Sequence, residues 1–294
     1  MSDIADSIKI KGRLYLPLIK IRQTALLLVT GFTGYASSRP AVIEWQTIVA
    51  LLGSLFLAIA GSTVLNMVYD RDIDLRMKRT EKRPLPAGRV GLAETVVLGL
   101  ALSLGGVAWA LRLSALYGFV VAAGLFTDVV VYTLWLKRRT AWSIVWGGIS
   151  GGMPILAGRV LGTGRIDFIG LLLAASVLLW IPTHILTFTL SRKYYGDYRR
   201  AGIPTFPLVY GQRNTRLVIA FSSLGAAVAI VMGCIALGLS WGYIRLLAVL
   251  TVGIVGLALA SVIRPSEDIN FGLFKYASLY MFGSMLMVIL GSLK

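Results

Sequence analysis

The sequence is short of charge, and above all of negative charge: 14% of its 294 residues are charged and only thirteen are Asp or Glu. A soluble domain carries roughly a quarter of its residues charged. That scarcity, with 57% hydrophobic residues, excludes an ordinary soluble domain and implies a polytopic membrane protein. The chain has a single cysteine, so no intrachain disulfide can form. Cys234 lies in the apolar run 217–237 and reads as a small core residue. No long polar segment, low-complexity stretch or soluble linker is present, which leaves no room for a second domain, and residues 1–294 are expected to form one transmembrane domain. The first apolar stretch lacks a small-residue cleavage site, so no cleaved leader is expected. The net charge of +16 sits in short loops between apolar runs, where topology rather than nucleic acid is the common cause.

What the sequence has in quantity is apolar runs close to the 17–25 residues that a helix needs to cross a bilayer. They fall at 23–38, 46–69, 91–111, 114–136, 142–161, 168–190, 217–238, 241–263 and 271–292. Lipid offers no alternative to helix for such runs, because every backbone N–H and C=O must be satisfied within the segment. Nine transmembrane helices are therefore expected, the first weakened by Gly31 and Gly34. With nine spans, 23 of the 29 Lys and Arg residues fall on one side, counting the N-terminus and the loops after even-numbered spans. By the positive-inside rule that side is cytoplasmic, and the C-terminus lies opposite. The loops after the second and sixth spans both combine acidic and basic residues with Gly and Pro, at 83–88 and 201–207, which hints at a duplicated four-helix unit.

The densest polar cluster runs from Asn66 to Gly88 and continues the apolar second span. Asn66, Asp70 and Asp74 are spaced i, i+4, i+8, which stacks them on one helical face. Like charges one turn apart repel, so a compensating cation is implied. Mg²⁺ suits such a set, since it takes one or two carboxylates and completes its octahedron with water and phosphate oxygens. Arg71, Arg76, Lys78, Arg79, Lys82 and Arg83 share the stretch, and the mixture fits a metal-bridged diphosphate; the alternative is that the arginines pair with the carboxylates and enforce topology.

Further along, Lys137, Arg138 and Arg139 add cations on the same side, for topology or for an anion. Asp128, one turn before Tyr132, is an intramembrane carboxylate that is either functional or paired with a neighbouring helix. The small-residue stretch 147–154 either packs backbones closely or leaves space for a flat ligand. His184, the only histidine, lies four residues after Trp180 within the sixth span; it is either a hydrogen-bonded interior residue or a ligand to metal or substrate. The segment 191–204 supplies a second polar cluster with one carboxylate, Asp197, which either holds a second Mg²⁺ or orients Arg199 or Arg200.

Together these stretches resemble the UbiA-type intramembrane prenyltransferases, and in detail the branch that prenylates haem. The resemblance rests on Lys20-x-Arg22, on Asn66-x3-Asp70-x3-Asp74 before Arg83-Pro-Leu-Pro-x-Gly88, and on Tyr132-Thr-x-Trp135-Leu-Lys137-Arg138-x-Thr140. It extends to Gly147-Gly-x2-Gly-x2-Pro154, Asp197-Tyr-x2-Ala-Gly-Ile-Pro204 and Ser278-x-Tyr280. Tyr194 and Tyr198 stand where other branches carry carboxylates, as in the haem branch. The sequence departs from the family pattern at Ile21, where proline is usual, and at Thr183 and Ile185, which flank His184 in place of proline and an aromatic residue.

The resemblance implies nine helices around a central lipid-open cavity in the plasma membrane. It implies Mg²⁺-dependent transfer of a farnesyl or longer prenyl group from its diphosphate to a vinyl group of protohaem. Asn66, Asp70, Asp74 and Asp197 would be the metal and catalytic residues. Arg22, Arg79, Arg83, Lys137, Arg138 and Lys193 would bind diphosphate, and His184, Trp180 and Tyr194 the haem. An aromatic quinone precursor or a lipid alcohol is the alternative acceptor, and a transporter of anionic lipid the alternative of another class. A prenyl diphosphate assay with release of pyrophosphate separates the transporter.

Overall fold

The computed structural model describes residues 12 and 14–293; Lys9, Lys11, Arg13 and Lys294 of the charge count lie outside them. The described residues are helical throughout, without a strand: α1 (Ile21–Ser37), α2 (Trp45–Tyr69), α3 (Arg71–Leu75), α4 (Leu92–Leu113), α5 (Ala115–Phe126), α6 (Ser143–Thr163), α7 (Phe168–Leu190), α8 (Arg192–Ala201), α9 (Phe206–Val209), α10 (Gly211–Ala236), α11 (Trp241–Ile263) and α12 (Glu267–Ser292). The α5 helix runs on without a break into a π-helical stretch, Thr127–Leu136. Eight of the long helices, of 21 to 26 residues, are long and apolar enough to cross a membrane. Among the described residues the remaining apolar run, 23–38, coincides with the 17-residue α1, which is shorter than those eight.

Two buried cores share α6. One joins α1, α2, α4, α5 and α6, and the other α6, α7, α10, α11 and α12. The outer faces carry exposed Phe221, Trp241 and Val252, as lipid-facing surfaces do. Cys234 is buried in the second core. Pro154 and Pro182 lie inside α6 and α7, where neighbouring helices make interior proline tolerable. Away from the polar loops, the buried Arg159 donates to both carboxylate oxygens of Asp167 at 2.7 and 2.6 Å and to the Ser37 carbonyl at 2.7 Å, so its charge is fully paired.

The glycines that weaken α1 as an isolated helix bring it close to α6. A Cβ on Gly158 would run into the Gly31 carbonyl, and one on Gly34 into the Ile155 carbonyl. Both obstacles are backbone and cannot swing aside. Gly158→Ala is therefore expected to destabilise the protein by about 1–3 kcal/mol, the usual cost of overpacking, read as a lowered unfolding midpoint in detergent. Gly105→Ala, where a Cβ meets open space, should leave the midpoint unchanged or raise it; equal midpoints for the two variants would refute this account of the α1–α6 contact.

The same logic divides the stretch 147–154 between the two readings left open above. Gly148 and Gly152 face the Leu178 and Ala174 carbonyls of α7 at 2.9 and 2.7 Å from an added Cβ. Gly147 and Gly151 instead line a cavity of about 570 Å³, which is walled by α1, α2, α5 with its π stretch, α6, α7 and α12.

Candidate active site

The cavity is apolar over most of its wall and polar at one end. Helix α2 ends at Tyr69 and the chain turns at Asp70 before α3, so Asn66, Asp70 and Asp74 do not lie on one unbroken helix. The i to i+4 bonds nonetheless persist across the turn, Asp70 N–H to the Asn66 carbonyl at 3.0 Å and Asp74 N–H to the Asp70 carbonyl at 2.7 Å. All three side chains are buried.

Opposite α2 stands the π stretch. Hydrogen bonding from i to i+5, seen in Lys137 N–H to the Tyr132 carbonyl at 2.8 Å, brings residues four and five apart onto one face. Asp128, Thr133 and Lys137 thus all meet α2. In an α-helix of 3.6 residues per turn, Lys137 would lie on the side opposite Asp128.

The resulting seam is continuous. Asp128 accepts from the Ser62 hydroxyl, from Asn66 Nδ2 at 2.8 Å and from the Ser150 hydroxyl at 3.4 Å. Asn66 Oδ1 accepts from the Thr133 hydroxyl at 2.7 Å. Lys137 Nζ pairs with Asp70 Oδ2. Asp128 is therefore held by hydrogen bonds from three neighbouring side chains, which is how a carboxylate is stabilised at membrane depth.

The three expected carboxylate ligands do not form one cluster. Among the described residues no three His, Cys, Asp or Glu side chains form a metal-holding group. Each carboxylate has its own cation instead: Asp70 pairs with Lys137, Asp74 with Arg83 at 2.8 Å, and Asp197 with Arg200 one turn away. A single Mg²⁺ nevertheless fits. It needs only one or two carboxylates besides phosphate and water, and Asp70 Oδ1 is buried with no partner. A buried carboxylate oxygen without a partner is costly, and it is the atom a hard cation would take.

Among the expected diphosphate ligands, Arg22 and Lys137 line the cavity. Arg83 pairs with Asp74 and is not among the lining residues. Tyr198 of α8 feels the charges of Arg79, Lys137, Arg83 and Asp70, and its phenol pKa is raised, burial being the main cause. Apolar packing of Ile73 and Met77 on Ala201 brings α3 and α8 together. Arg79 lies over the Phe188 ring at 5.2 Å, Phe188 stacks on Tyr194 at 4.0 Å, and Lys193 lies over Tyr194 at 5.4 Å. Of these contacts, that of Arg79 on Phe188 ties the first loop to the end of α7, and none of the four side chains lines the cavity. Arg138 faces outward, donating to both oxygens of the exposed Asp72 at 3.0 and 2.7 Å.

Lys20 was part of the Lys-x-Arg pattern but not among the expected ligands, and it lines the cavity beside Arg22 and Gln23. Burial, with Lys137 and Arg83 as like charges nearby, lowers its pKa to about 8 against the pull of Asp70 and Asp128. Burial also opposes the charge on Lys137, but Tyr132, Asp70 and Asp74 outweigh it and hold its pKa above the ordinary lysine value. Lys20 is thus the cation that titrates near neutrality. It is charged below about pH 8 and neutral above, so binding of a diphosphate anion draws a proton onto it. Affinity for prenyl diphosphate is expected to fall about tenfold from pH 7 to pH 9, as one charge-assisted hydrogen bond is lost. Equilibrium binding across that range tests this, and a Lys20→Arg variant that keeps the same fall would refute it.

At the other wall His184 is sandwiched between Trp180 and Phe274, each at 4.8 Å between ring centres and near parallel. Trp180 Nε1 donates to the Ala277 carbonyl at 2.7 Å, which ties the sandwich to α12. The site therefore joins a mouth lined by Lys20, Arg22 and Lys137 to a largely apolar chamber with one imidazole in its wall.

Comparison with known proteins agrees with this geometry. Residues 27–282 match the UbiA prenyltransferase family. A protoheme IX farnesyltransferase of Pyrobaculum islandicum is 36% identical over 262 residues, covering 89% of this chain and 92% of that protein. One of Thermofilum pendens is 45% identical over 218 residues, 73% and 74% of the two chains. Among solved structures, a digeranylgeranylglyceryl phosphate synthase superposes with a TM-score of 0.80 at 20% identity, over 96% of this chain and 98% of that one. A UbiA homologue of Archaeoglobus fulgidus bound to GPP and Mg²⁺ superposes with a TM-score of 0.65 at 16% identity, over 93% and 99%. By sequence match, by fold and by the placing of its polar residues over an apolar cavity, this chain belongs to the UbiA prenyltransferase family.

Proposed function

We propose that the protein transfers a farnesyl or longer prenyl group from prenyl diphosphate to a vinyl group of protohaem, giving haem O and diphosphate. The observation that carries this reading is one cavity with the Asp70–Lys137 mouth at one end and an aromatic-clamped histidine in its wall. The allylic C–O bond breaks with its electron pair leaving on diphosphate. The vinyl π pair then forms the new C–C bond, and water adds at the cation left beside the ring, releasing a proton.

Lys20, Arg22 and Lys137 meet the leaving diphosphate with positive charge, and such charge stabilisation is the largest demand of the reaction. Arg83 holds Asp74 within the first loop, Arg79 reaches across to the Phe188 ring, and Lys193 lies over Tyr194 beside it. Asp128 and Thr133 fix the Asn66 amide between them. Asp70 with Asn66 or Asp74, and Asp197 from the second loop, would hold Mg²⁺, which would supply further neutralisation of diphosphate. The apolar wall keeps bulk water from the allyl cation. His184 ligates the haem iron, with Trp180 beside it in the chamber wall and Tyr194 outside the wall on Phe188. We place the single domain in the plasma membrane with its N-terminus cytoplasmic, on the 23-to-6 division of basic residues.

The test is incubation of purified protein and Mg²⁺ with farnesyl or geranylgeranyl diphosphate and either haem or 4-hydroxybenzoate, followed by mass analysis. Haem carrying one prenyl and one hydroxyl group, with release of pyrophosphate, is expected. Prenylation of 4-hydroxybenzoate alone would overturn the acceptor.

A further inference from the structure

The haem reading leaves open how His184 presents a lone pair to iron, and the α12 segment beside it supplies a specific answer. Ser278 Oγ lies 3.4 Å from His184 Nδ1 and equally 3.4 Å from the Phe274 carbonyl of its own helix. A hydroxyl has one proton. The carbonyl can only accept; when Ser278 gives its proton to Phe274 it turns a lone pair toward His184. Nδ1 must then be the N–H, and the other ring nitrogen carries the lone pair. Among the described residues nothing hydrogen-bonds to that second nitrogen, and both His184 and Ser278 line the cavity.

The rings on either side complete the device. Trp180 and Phe274 cover both faces of the imidazole at interplanar angles of 20° and 23°, so the ring can neither flip nor tilt freely. Trp180 is tied to the Ala277 carbonyl, next in sequence to Ser278, and Phe274 lies one turn before it. A stacked imidazole offers only its edge, which is where a nitrogen ligand binds a metal. Ligating histidines commonly have their other N–H held by an acceptor, which fixes the tautomer and raises ligand basicity.

We propose that Ser278 is a positioning residue that fixes the His184 tautomer, so that within the Trp180–Phe274 clamp the Nε2 lone pair faces the cavity as the ligand to haem iron. This rests on the haem reading above. It accounts for the arrangement at 274–278, which prenyl diphosphate chemistry alone does not require.

The experiment is resonance Raman spectroscopy of ferrous protohaem bound to the purified protein, with a haem titration. Wild type should show an iron–histidine stretch that disappears in His184→Ala. Ser278→Ala should shift that stretch to lower frequency and weaken haem binding about 10- to 100-fold, the usual cost of losing such a supporting partner. Ser278→Thr should restore both, and Ser278→Asp should move the stretch the opposite way. Binding of farnesyl diphosphate, unchanged in each variant, shows that the fold is intact. A stretch present in wild type but unmoved in both Ser278→Ala and Ser278→Asp overturns the positioning role and leaves the haem reading standing. A missing stretch in wild type, or one that survives His184→Ala, also overturns it. In that case haem prenylation in the mass assay decides whether the haem reading falls with it.

Discussion

Asp70→Asn is expected to lower kcat about 10²- to 10³-fold, the loss seen when one preorganised electrostatic group is removed from a transition state. The substitution keeps the size of the side chain and its reach to Lys137 and removes only the charge. Asp70 is the carboxylate whose free oxygen, Oδ1, is buried without a partner, while its other oxygen is taken by Lys137. The charge is therefore both needed and available for a divalent ion. Turnover measured against Mg²⁺ concentration should show a lower plateau as well as a higher midpoint, because the ion serves the leaving group and not only substrate binding. Full Mg²⁺-dependent turnover in this variant would remove Asp70 from the metal site.

The fold was largely legible, and for a physical reason. Backbone groups in lipid must be satisfied locally, so apolar length alone marks the helices, and even the short α1 falls within one turn of its expected bounds. Its glycines misled only while α1 was considered alone, since their purpose is the contact with α6. The spacing of Asn66, Asp70 and Asp74 was equally visible, as were the pairing of a loop arginine with a carboxylate and that of Asp197 with Arg200, but the turn at Asp70 and its pairing with Lys137 were not. Pairing depends on which helices meet, and α2 meets a π stretch. A change of hydrogen-bond register from i+4 to i+5 leaves no mark on hydrophobic periodicity in a run that is apolar all round. For that reason Lys137, read as one of three loop cations, turns out to be the partner of Asp70, whereas Arg138 beside it faces outward. Of the two readings of Asp128, the pairing is what the structure shows: Asn66 of the neighbouring helix donates to it.

Lys137→Met should separate stability from chemistry at this seam. Removing the cation leaves Asp70 buried with neither oxygen paired to a cation, and breaking a buried pair is far more costly than the pair's net worth. A loss of about 3 kcal/mol is expected, at the low end for buried pairs because both side chains keep some exposure, together with weaker binding of prenyl diphosphate. The double variant Asp70→Asn/Lys137→Met carries no uncompensated charge and should regain most of that stability, since neutral replacement of both partners is nearly neutral overall. It should regain none of the activity. Thermal midpoints and turnover of the two single variants and the double variant form a closed cycle. Additive stability losses would mean that the two groups do not depend on each other in the folded protein, and recovery of turnover in the double variant would mean that the charges serve the fold and not the diphosphate.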